Sequence, residues 1–228
     1  MAVIWTTTGA SRQAGVKALI YGPSGVGKTR LSGTAPKPLI VSAESGTLSI
    51  AGNNHPEAKI SSIKDLAEVF GWLQSSAASM IESVCLDSLT EIMEMVLSSI
   101  KPGYKDARQA YLELQETTML WVRKFRDGLP GKHVFMTAKM EWVKDEATGI
   151  CSYQPMMPGQ KLGPALPYLF DEVFRLGVGK DTSGNKFRFL QTEADLQYVA
   201  KDRSGNLAPT EHPDLTFLVK KITGGPTQ

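Results

Sequence analysis

A glycine-rich stretch at positions 22–29 constrains the fold of this chain more than any other feature of its sequence. The stretch reads GPSGVGKT and matches the pattern G-x-x-x-x-G-K-[S/T]. The apolar run 16–21 before it predicts a buried strand, and a short helix is predicted from Lys28 to about Gly33. In this setting, successive backbone N–H groups can wrap phosphate groups at the positive end of the helix. The sequence therefore predicts that the chain binds a nucleoside triphosphate, and we expect ATP with Mg²⁺.

The residues of this predicted P-loop take different parts in the site. Lys28 is expected to reach the β- and γ-phosphates and to assist hydrolysis, and Thr29 is expected to ligate Mg²⁺. The full set of predicted nucleotide-binding residues is Gly22, Pro23, Ser24, Gly25, Val26, Gly27, Lys28, Thr29, Arg30 and Asp87.

Two carboxylates stand at the ends of predicted apolar strands. Asp87 ends the run 83–87 and is expected to hold Mg²⁺ through water; the alternative is that it caps the next helix. Glu44 follows the run 38–43, and in a parallel sheet it would emerge at the same edge as the P-loop. There it would orient or deprotonate the attacking water. The alternative for Glu44 is a solvent-facing loop glutamate.

The rest of the chain predicts an α/β fold. Apolar residues at three- and four-residue steps predict helices at 62–75, 89–100 and 107–127. Further strands are predicted at 133–137, 171–178, 186–192, 197–201 and 216–222. This order implies a mainly parallel central sheet flanked by helices, with an antiparallel C-terminal β-extension. We expect an N-terminal tail at 1–14, one domain at 15–222 and a disordered C-terminal tail at 223–228.

Composition excludes several classes of protein. The net charge of +2, from 25 basic and 23 acidic residues, is too small for a large non-specific DNA footprint. Cys85 and Cys151 lack metal-ligand spacing and are expected to be reduced thiols. Residues 1–12 lack the apolar core of a signal peptide, and no apolar run approaches the roughly 20 residues of a membrane helix. We therefore expect a cytoplasmic protein without membrane contact.

Two stretches are candidates for binding single-stranded DNA. The first, 139–161, interleaves cations with aromatic residues, which suits contacts to phosphates and stacking on bases. It also carries acidic residues, and the alternative is a surface loop or a β-hairpin with Gly149 at its tip. The second, 101–108, places three cations and a tyrosine around Pro-Gly, and the alternative is an ordinary helix–helix connection. The predicted DNA-binding residues are Lys101, Lys105, Arg108, Lys139, Trp142, Lys144 and Lys161.

The order of these parts resembles the RecA-type ATPase core over about residues 15–222. The P-loop is followed by LIVSAE, which ends in Glu44, then by VCLDS with Asp87, and then by HVFMTAK. In RecA the last of these strands ends in a glutamine that senses the γ-phosphate and opens the second DNA-binding loop. This chain has Ala138 and Lys139 there, so Thr137 or Lys139 would take that role.

The resemblance also extends to the end of the chain. Lys201 and Arg203 are similar to two basic residues of RecA that reach the ATP of the adjacent protomer. Two cations so spaced on a strand point to one side, where they would complete a neighbour's phosphate site. The alternative is an exposed strand edge whose charges deter aggregation. The resemblance implies an oligomer, a filament or a ring, with ATP at the subunit interfaces.

A compact version of this core looks most like phage nucleotide-binding proteins related to RecA, including the Sak-type single-strand annealing proteins. That resemblance implies a role in phage recombination or replication in the host cytoplasm, binding single-stranded DNA alongside a single-strand-binding protein. The expected activity is a DNA-dependent ATPase that anneals or pairs strands.

Two other functions stay open. One is a nucleotide-gated binding or loading module with negligible turnover. The other, a small-molecule kinase, usually needs an arginine-rich lid, whereas the eight arginines here are dispersed and Arg175 and Arg188 form no obvious cluster.

Overall fold

The computed structural model describes residues 15–44, 46–144, 146 and 148–224. The strands are β1 Lys17–Gly22, β2 Pro38–Ser42, β3 Glu57–Lys59, β4 Ser83–Leu86, β5 His133–Lys144, β6 Cys151–Met156, β7 Glu172–Lys180, β8 Lys186–Gln191, β9 Lys201–Asp202 and β10 Thr210–Glu211. The helices are α1 Lys28–Ser32, α2 Ile63–Leu73, α3 Leu89–Ile100, α4 Ala107–Asp127, α5 Leu162–Ala165 and α6 Leu215–Thr223. The tail predicted at 1–14 and the last four residues of the tail predicted at 223–228 lie outside the described residues. Thr223, by contrast, is the last residue of α6, and Gly224 is its C-cap.

The strands form one sheet in the order β10-β8-β7-β1-β5-β4-β2-β3, with β6 added to β5 and β9 to β7. Five pairs of neighbouring strands are parallel: β7 with β1, β1 with β5, β5 with β4, β4 with β2 and β2 with β3. The pairs of β5 with β6 and of β7 with β8 and β9 are antiparallel. The α/β fold with a mainly parallel sheet and antiparallel C-terminal strands is therefore confirmed.

The central strands are buried on both faces, which explains their continuous apolar sequences. All six residues of β1 are buried. Leu19 and Tyr21 belong to the core cluster on one face, and Ala18 and Ile20 to the cluster on the other. Because successive side chains of a strand alternate between faces, this one strand supports both cores and holds its own end in a fixed position.

The three long helices predicted from the sequence are confirmed. Each begins after a polar side chain that accepts a hydrogen bond from the first turn: Ser62 before α2, Ser88 before α3 and Asp106 before α4. Among the described residues, no helix has the length and apolar character needed to cross a membrane.

The strand predicted at 216–222 is wrong, because this segment forms α6. Asp214 caps the helix by accepting a hydrogen bond from the backbone N–H of Phe217 at 2.9 Å. Leu215, Leu218 and Val219 are buried and share one helical face against the core. The spacing of these apolar side chains, rather than strand propensity, decides the structure.

Two other predictions about strands also need correction. The strand predicted at 197–201 is reduced to Lys201–Asp202, because the Asp195 side chain accepts hydrogen bonds from the backbone N–H groups of Gln197 and Tyr198 and folds the chain into a turn. The strand predicted at 133–137 continues to Lys144. The stretch 139–161 accordingly begins as a β-hairpin, with Gly149 at φ +70 in its turn region.

Candidate functional site

The P-loop joins the end of β1 to the start of α1, as the sequence predicts. Gly25 and Gly27 have φ values of +72 and +104, which side-chain-bearing residues rarely adopt. A Cβ atom on Gly22 would lie 2.7 Å from the backbone oxygen of Leu176. The glycines therefore serve both the shape of the loop and its close packing against β7.

Lys28 folds back over the P-loop. Its Nζ donates hydrogen bonds to the backbone oxygens of Gly22 at 2.9 Å and Pro23 at 3.0 Å. Burial lowers the pKa of Lys28, while the negative charges of Asp87 and Glu44 oppose this shift. The ammonium group thus bonds two backbone oxygens that phosphate oxygens of a nucleotide would replace.

Asp87 directly follows β4 and is only 6% exposed. Its Oδ1 accepts a hydrogen bond from Thr137 Oγ1 at 2.5 Å, and its backbone N–H donates to the oxygen of Val41 at 2.9 Å. The peptide bond from Asp87 to Ser88 is cis. Ser88, not Asp87, is the N-cap of α3. This geometry leaves the Asp87 carboxylate at the sheet edge that carries the P-loop.

Glu44 lies two residues beyond β2 and is exposed to solvent. Its backbone is held by Ser42, whose Oγ donates to the Glu44 oxygen at 2.6 Å. Partial burial, then the negative charges of Glu91 and Asp87, raise the pKa of the Glu44 carboxyl. A carboxylate that holds a proton more tightly than usual suits proton transfer from water.

Lys139 belongs to this edge of the sheet, because it pairs in register with Gly22 across β1 and β5. Its Nζ forms ion pairs with Glu91 and, at 3.4 Å, with Glu94 of α3. The hydrogen bond to Glu91 raises the pKa of Lys139. Lys139, predicted as a DNA contact and as a candidate γ-phosphate sensor, lies beside the P-loop at the base of the β5–β6 hairpin.

Glu91 is a residue of the site that the sequence analysis missed. It lies in the first turn of α3, and its backbone N–H donates to Ser88 Oγ at 3.3 Å. The spacing Ser88-x-x-Glu91 is the helix-start signature with which it would have been found. Its carboxylate links Lys139 electrostatically to Glu44.

A cavity of about 520 Å³ adjoins the P-loop on the side of α1. Its lining includes Gly27, Arg30, Asn53, Phe187, Arg188 and His212. The sequence analysis did not connect Arg188 to the P-loop, yet its Nε donates a hydrogen bond to the backbone oxygen of Val26 at 2.6 Å. The site thus extends beyond the loop to residues from the C-terminal third of the chain.

The first DNA-binding candidate is largely on the β5–β6 hairpin. Trp142 is 55% exposed, and Lys144 is also exposed. Trp142 lies opposite Tyr153, whose ring stacks on that of Tyr198 with centroids 4.9 Å apart. The hairpin therefore packs against the segment that precedes β9 through these two rings.

The second candidate is a helix–helix connection between α3 and α4, with Lys101 and Lys105 exposed. The structure also brings one cation of each candidate stretch together. Arg108 of α4 and Lys161 line one groove of about 600 Å³, together with Tyr111 and Leu112.

Lys201 and Arg203 lie at the other edge of the sheet, because Lys201 pairs with Val173 near the beginning of β7. Lys201 Nζ donates to the oxygen of Pro167 at 2.8 Å, and Arg203 forms an ion pair with Asp171 at 3.0 Å. Both cations therefore lie away from the P-loop of their own chain, near the beginning of β7.

Glu172, beside this pair, is expected to make stability depend on pH. It is 2% exposed, and burial, then the nearby Asp202 carboxylate, raises its pKa to about 8. At pH values between the ordinary pKa of a glutamate and 8, Glu172 keeps its proton in the folded state and loses it in the unfolded state. The contribution of Glu172 to the free energy of unfolding therefore falls as pH rises through this range. We expect Glu172→Gln, which stays neutral, to gain stability over the wild type as pH rises to 8. Urea unfolding at pH 5 and pH 8.5 measures this, and an equal difference at both values would contradict it.

The oxygen donors at the P-loop edge fit Mg²⁺. Among the residues that the structure describes, no group of three or more His, Cys, Asp or Glu side chains would hold a metal ion. Magnesium in nucleotide sites usually relies on one or two protein oxygens, water and the phosphates. Thr29 in the first turn of α1 and the Asp87 carboxylate supply such a set.

Known proteins show similarity to this chain in sequence and in structure. The family described as "AAA domain" matches residues 14–204. The structure is similar to the RadB recombinase, with 18% identity and a TM-score of 0.43 over 79% of this chain and 89% of that chain. It is also similar to the flagellar accessory protein FlaH from Methanocaldococcus jannaschii, with 12% identity and a TM-score of 0.42 over 78% of each chain. No curated protein matches the sequence. The family match spans most of the chain and includes the P-loop, Glu44 and Asp87, so this protein belongs to the AAA domain family.

Proposed function

We propose that this protein binds ATP with Mg²⁺ and hydrolyses it, and that single-stranded DNA stimulates the reaction. The observation that carries the proposal is that the P-loop, Glu44 and Asp87 share one edge of the sheet, with Lys28 under the electrostatic influence of both carboxylates. Binding, metal coordination and activation of water are then assigned to separate groups within one site.

In this proposal, Lys28 Nζ leaves the backbone oxygens of the loop for the β- and γ-phosphates. Thr29 would ligate Mg²⁺ directly and Asp87 would hold it through water. When bound, the metal would neutralise charge that develops on the phosphates. Glu44 would orient the attacking water and accept its proton.

The cavity beside Gly27 would take the nucleoside. Because the P-loop binds the phosphates, the sugar and the base of the nucleotide must lie beside the loop where there is space for them. The cavity of about 520 Å³ provides that space, with Phe187 and His212 as ring-bearing neighbours. Their rings would contact a base.

DNA would bind on the hairpin and in the groove between α4 and the segment after β6. Trp142 and Tyr153 on the hairpin are suited to stacking on unpaired bases, and Lys144, Arg108 and Lys161 to contacting phosphates. Lys101 and Lys105 would extend this surface along the connection from α3 to α4.

Lys139 would couple the two sites. Its ammonium group forms ion pairs with Glu91 and Glu94. Its backbone N–H donates a hydrogen bond to Thr90 Oγ1 at 3.0 Å, and the Thr90 hydroxyl in turn donates one to the backbone oxygen of Met156 in β6. A γ-phosphate would compete for the ammonium group and so alter the base of the hairpin. Thr137, hydrogen-bonded to Asp87, is the other candidate for this sensing role.

The proposal extends to an oligomer, a filament or a ring, in which Lys201 and Arg203 reach the nucleotide of the adjacent subunit. In this assembly the protein would anneal or pair DNA strands during phage recombination or replication, alongside a single-strand-binding protein. These narrower roles are supported by the sequence resemblance and by the position of both cations away from their own P-loop.

The exposure of Glu44 favours a second candidate function, a nucleotide-gated binding or loading module with negligible turnover. Phosphate release with and without single-stranded DNA separates the two functions. Complex size should be followed in the same mixtures, with and without ATP and Mg²⁺. Failure to bind DNA in either state would contradict the recombination role and leave the nucleotide site untouched.

The hairpin gives the sharpest test of DNA binding. Trp142→Ala is expected to weaken binding of a fluorescent oligonucleotide roughly five- to a hundredfold, because stacking contributes about 1–3 kcal/mol per base. Lys144→Ala is expected to weaken binding less and to reduce its salt dependence. The control is Trp72→Ala on α2, whose side chain is 40% exposed. Equal anisotropy curves for the two tryptophan variants would exclude the hairpin as the DNA contact.

A further inference from the structure

The hairpin of β7 and β8 carries Arg188 to the P-loop of its own chain. Parallel pairing of β1 with β7 ends at Tyr21 and Arg175, so the later residues of β7 extend past the end of β1. Arg188 lies opposite Val178 in this extended part. The long-range pairing therefore places a cation from β8 beside the loop that follows β1.

Arg188 packs closely on the loop backbone. Its Nε donates to the oxygen of Val26 at 2.6 Å. A Cβ atom on Gly27 would lie 3.2 Å from Arg188 Nε and 3.6 Å from its Cδ. The glycine thus provides the positive φ of the loop and also the space that the arginine side chain occupies.

The rest of this guanidinium group is available to a ligand. Among the residues that the structure describes, the Arg188 side chain forms no ion pair with a carboxylate, and its only side-chain hydrogen bond is made by Nε. Arg126 and Arg203, by contrast, pair with aspartates. Arg188 is also exposed and borders the cavity beside Gly27. An unpaired planar fork beside a phosphate-binding loop matches the geometry of phosphate oxygens.

We propose that Arg188 binds the nucleotide phosphates from within the same chain, an inference that rests on the proposed nucleotide-binding function. The N–H groups of a P-loop surround the α- and β-phosphates, and Arg188 contacts this loop at Val26 and Gly27. Its effect should therefore be shared by ATP and ADP. It would not need a neighbouring subunit, unlike the roles proposed for Lys201 and Arg203.

A charge series at position 188 tests this inference by calorimetric titration of the full chain with ADP and Mg²⁺. Arg188→Gln keeps an N–H donor for the Val26 oxygen but loses the charge, and Arg188→Glu reverses the charge. We expect Arg188→Gln to bind ADP about tenfold more weakly or worse, since a hydrogen bond to a charged group contributes roughly 1.5–3 kcal/mol. Arg188→Glu should be weaker still, and the salt dependence of ADP binding should be smaller in Arg188→Gln than in the wild type.

Lys186→Gln and Lys186→Glu are the matched controls, because Lys186 is an exposed cation two residues away on the same strand. They should bind ADP within about twofold of the wild type, since two exposed charges at a distance are largely screened by salt. ADP affinity of Arg188→Glu equal to that of Lys186→Glu would overturn the inference, and so would weaker binding with an unchanged salt dependence. If the wild type itself binds no nucleotide, the proposed function fails instead.

Discussion

Glu44→Gln is expected to lower the turnover number for ATP hydrolysis by about 10²- to 10⁴-fold, the usual contribution of a positioned general base. The substitution keeps the shape of the side chain and removes its ability to accept a proton. ATP affinity should change little, because Lys28 and the loop backbone are intact. Phosphate release with single-stranded DNA present, together with a separate binding titration, measures both effects.

Glu44→Gln should also change the pH profile of the reaction. A general base acts in its deprotonated form, and the pKa of Glu44 is raised by burial and by Glu91 and Asp87. The acidic fall in kcat/KM should therefore occur at a higher pH than an ordinary glutamate would give, and it should disappear in the residual activity of the variant. Glu68→Gln, an exposed glutamate on α2, is the control. Full turnover by Glu44→Gln would remove Glu44 from the mechanism.

Lys28→Ala is expected to weaken ATP binding by roughly tenfold to a hundredfold or more, since hydrogen bonds from a charged donor contribute about 1.5–3 kcal/mol each. Within the described part of the chain, its Nζ bonds two backbone oxygens, and both can be hydrated when the side chain is removed. Turnover should fall with binding, while the melting temperature should stay near that of the wild type. Calorimetric titration with ATP and Mg²⁺ and thermal unfolding test these expectations.

The lowered pKa of Lys28 adds a second signature to this prediction. Burial lowers that pKa, so the ammonium group loses its proton at a lower pH than an exposed lysine. ATP affinity of the wild type should accordingly begin to fall at a lower pH than an exposed lysine would give, and Lys28→Ala should lack this fall. Lys64→Ala, an exposed position on α2, is the control. Equal ATP affinity in Lys28→Ala and Lys64→Ala would contradict the phosphate contact.

Features encoded by neighbouring residues were predictable from the sequence. The P-loop depends on glycines whose backbone angles are local, and the boundaries of α3 and α4 follow from caps and apolar spacing within each segment. The location of Asp87 and Glu44 at one sheet edge could also be predicted, because each lies within two residues of the end of a buried parallel strand; their roles in the site stay predictions. The segment that forms α6 was misassigned, since its short apolar sequence suits both a strand and a helix until a packing partner selects one face.

Contacts across long sequence separations were decided only by the tertiary structure. Lys139 meets Glu91 because β4 and β5 are adjacent in the sheet, and Arg188 meets the loop because β7 lies beside β1. Neither contact has a local sequence signal, since each depends on which strands pair and in which register. The sequence by itself determined the P-loop motif and two carboxylates, Asp87 and Glu44, close to the ends of parallel strands. The pairing of distant strands, stabilised by two buried cores, determined which further charged residues surround that loop.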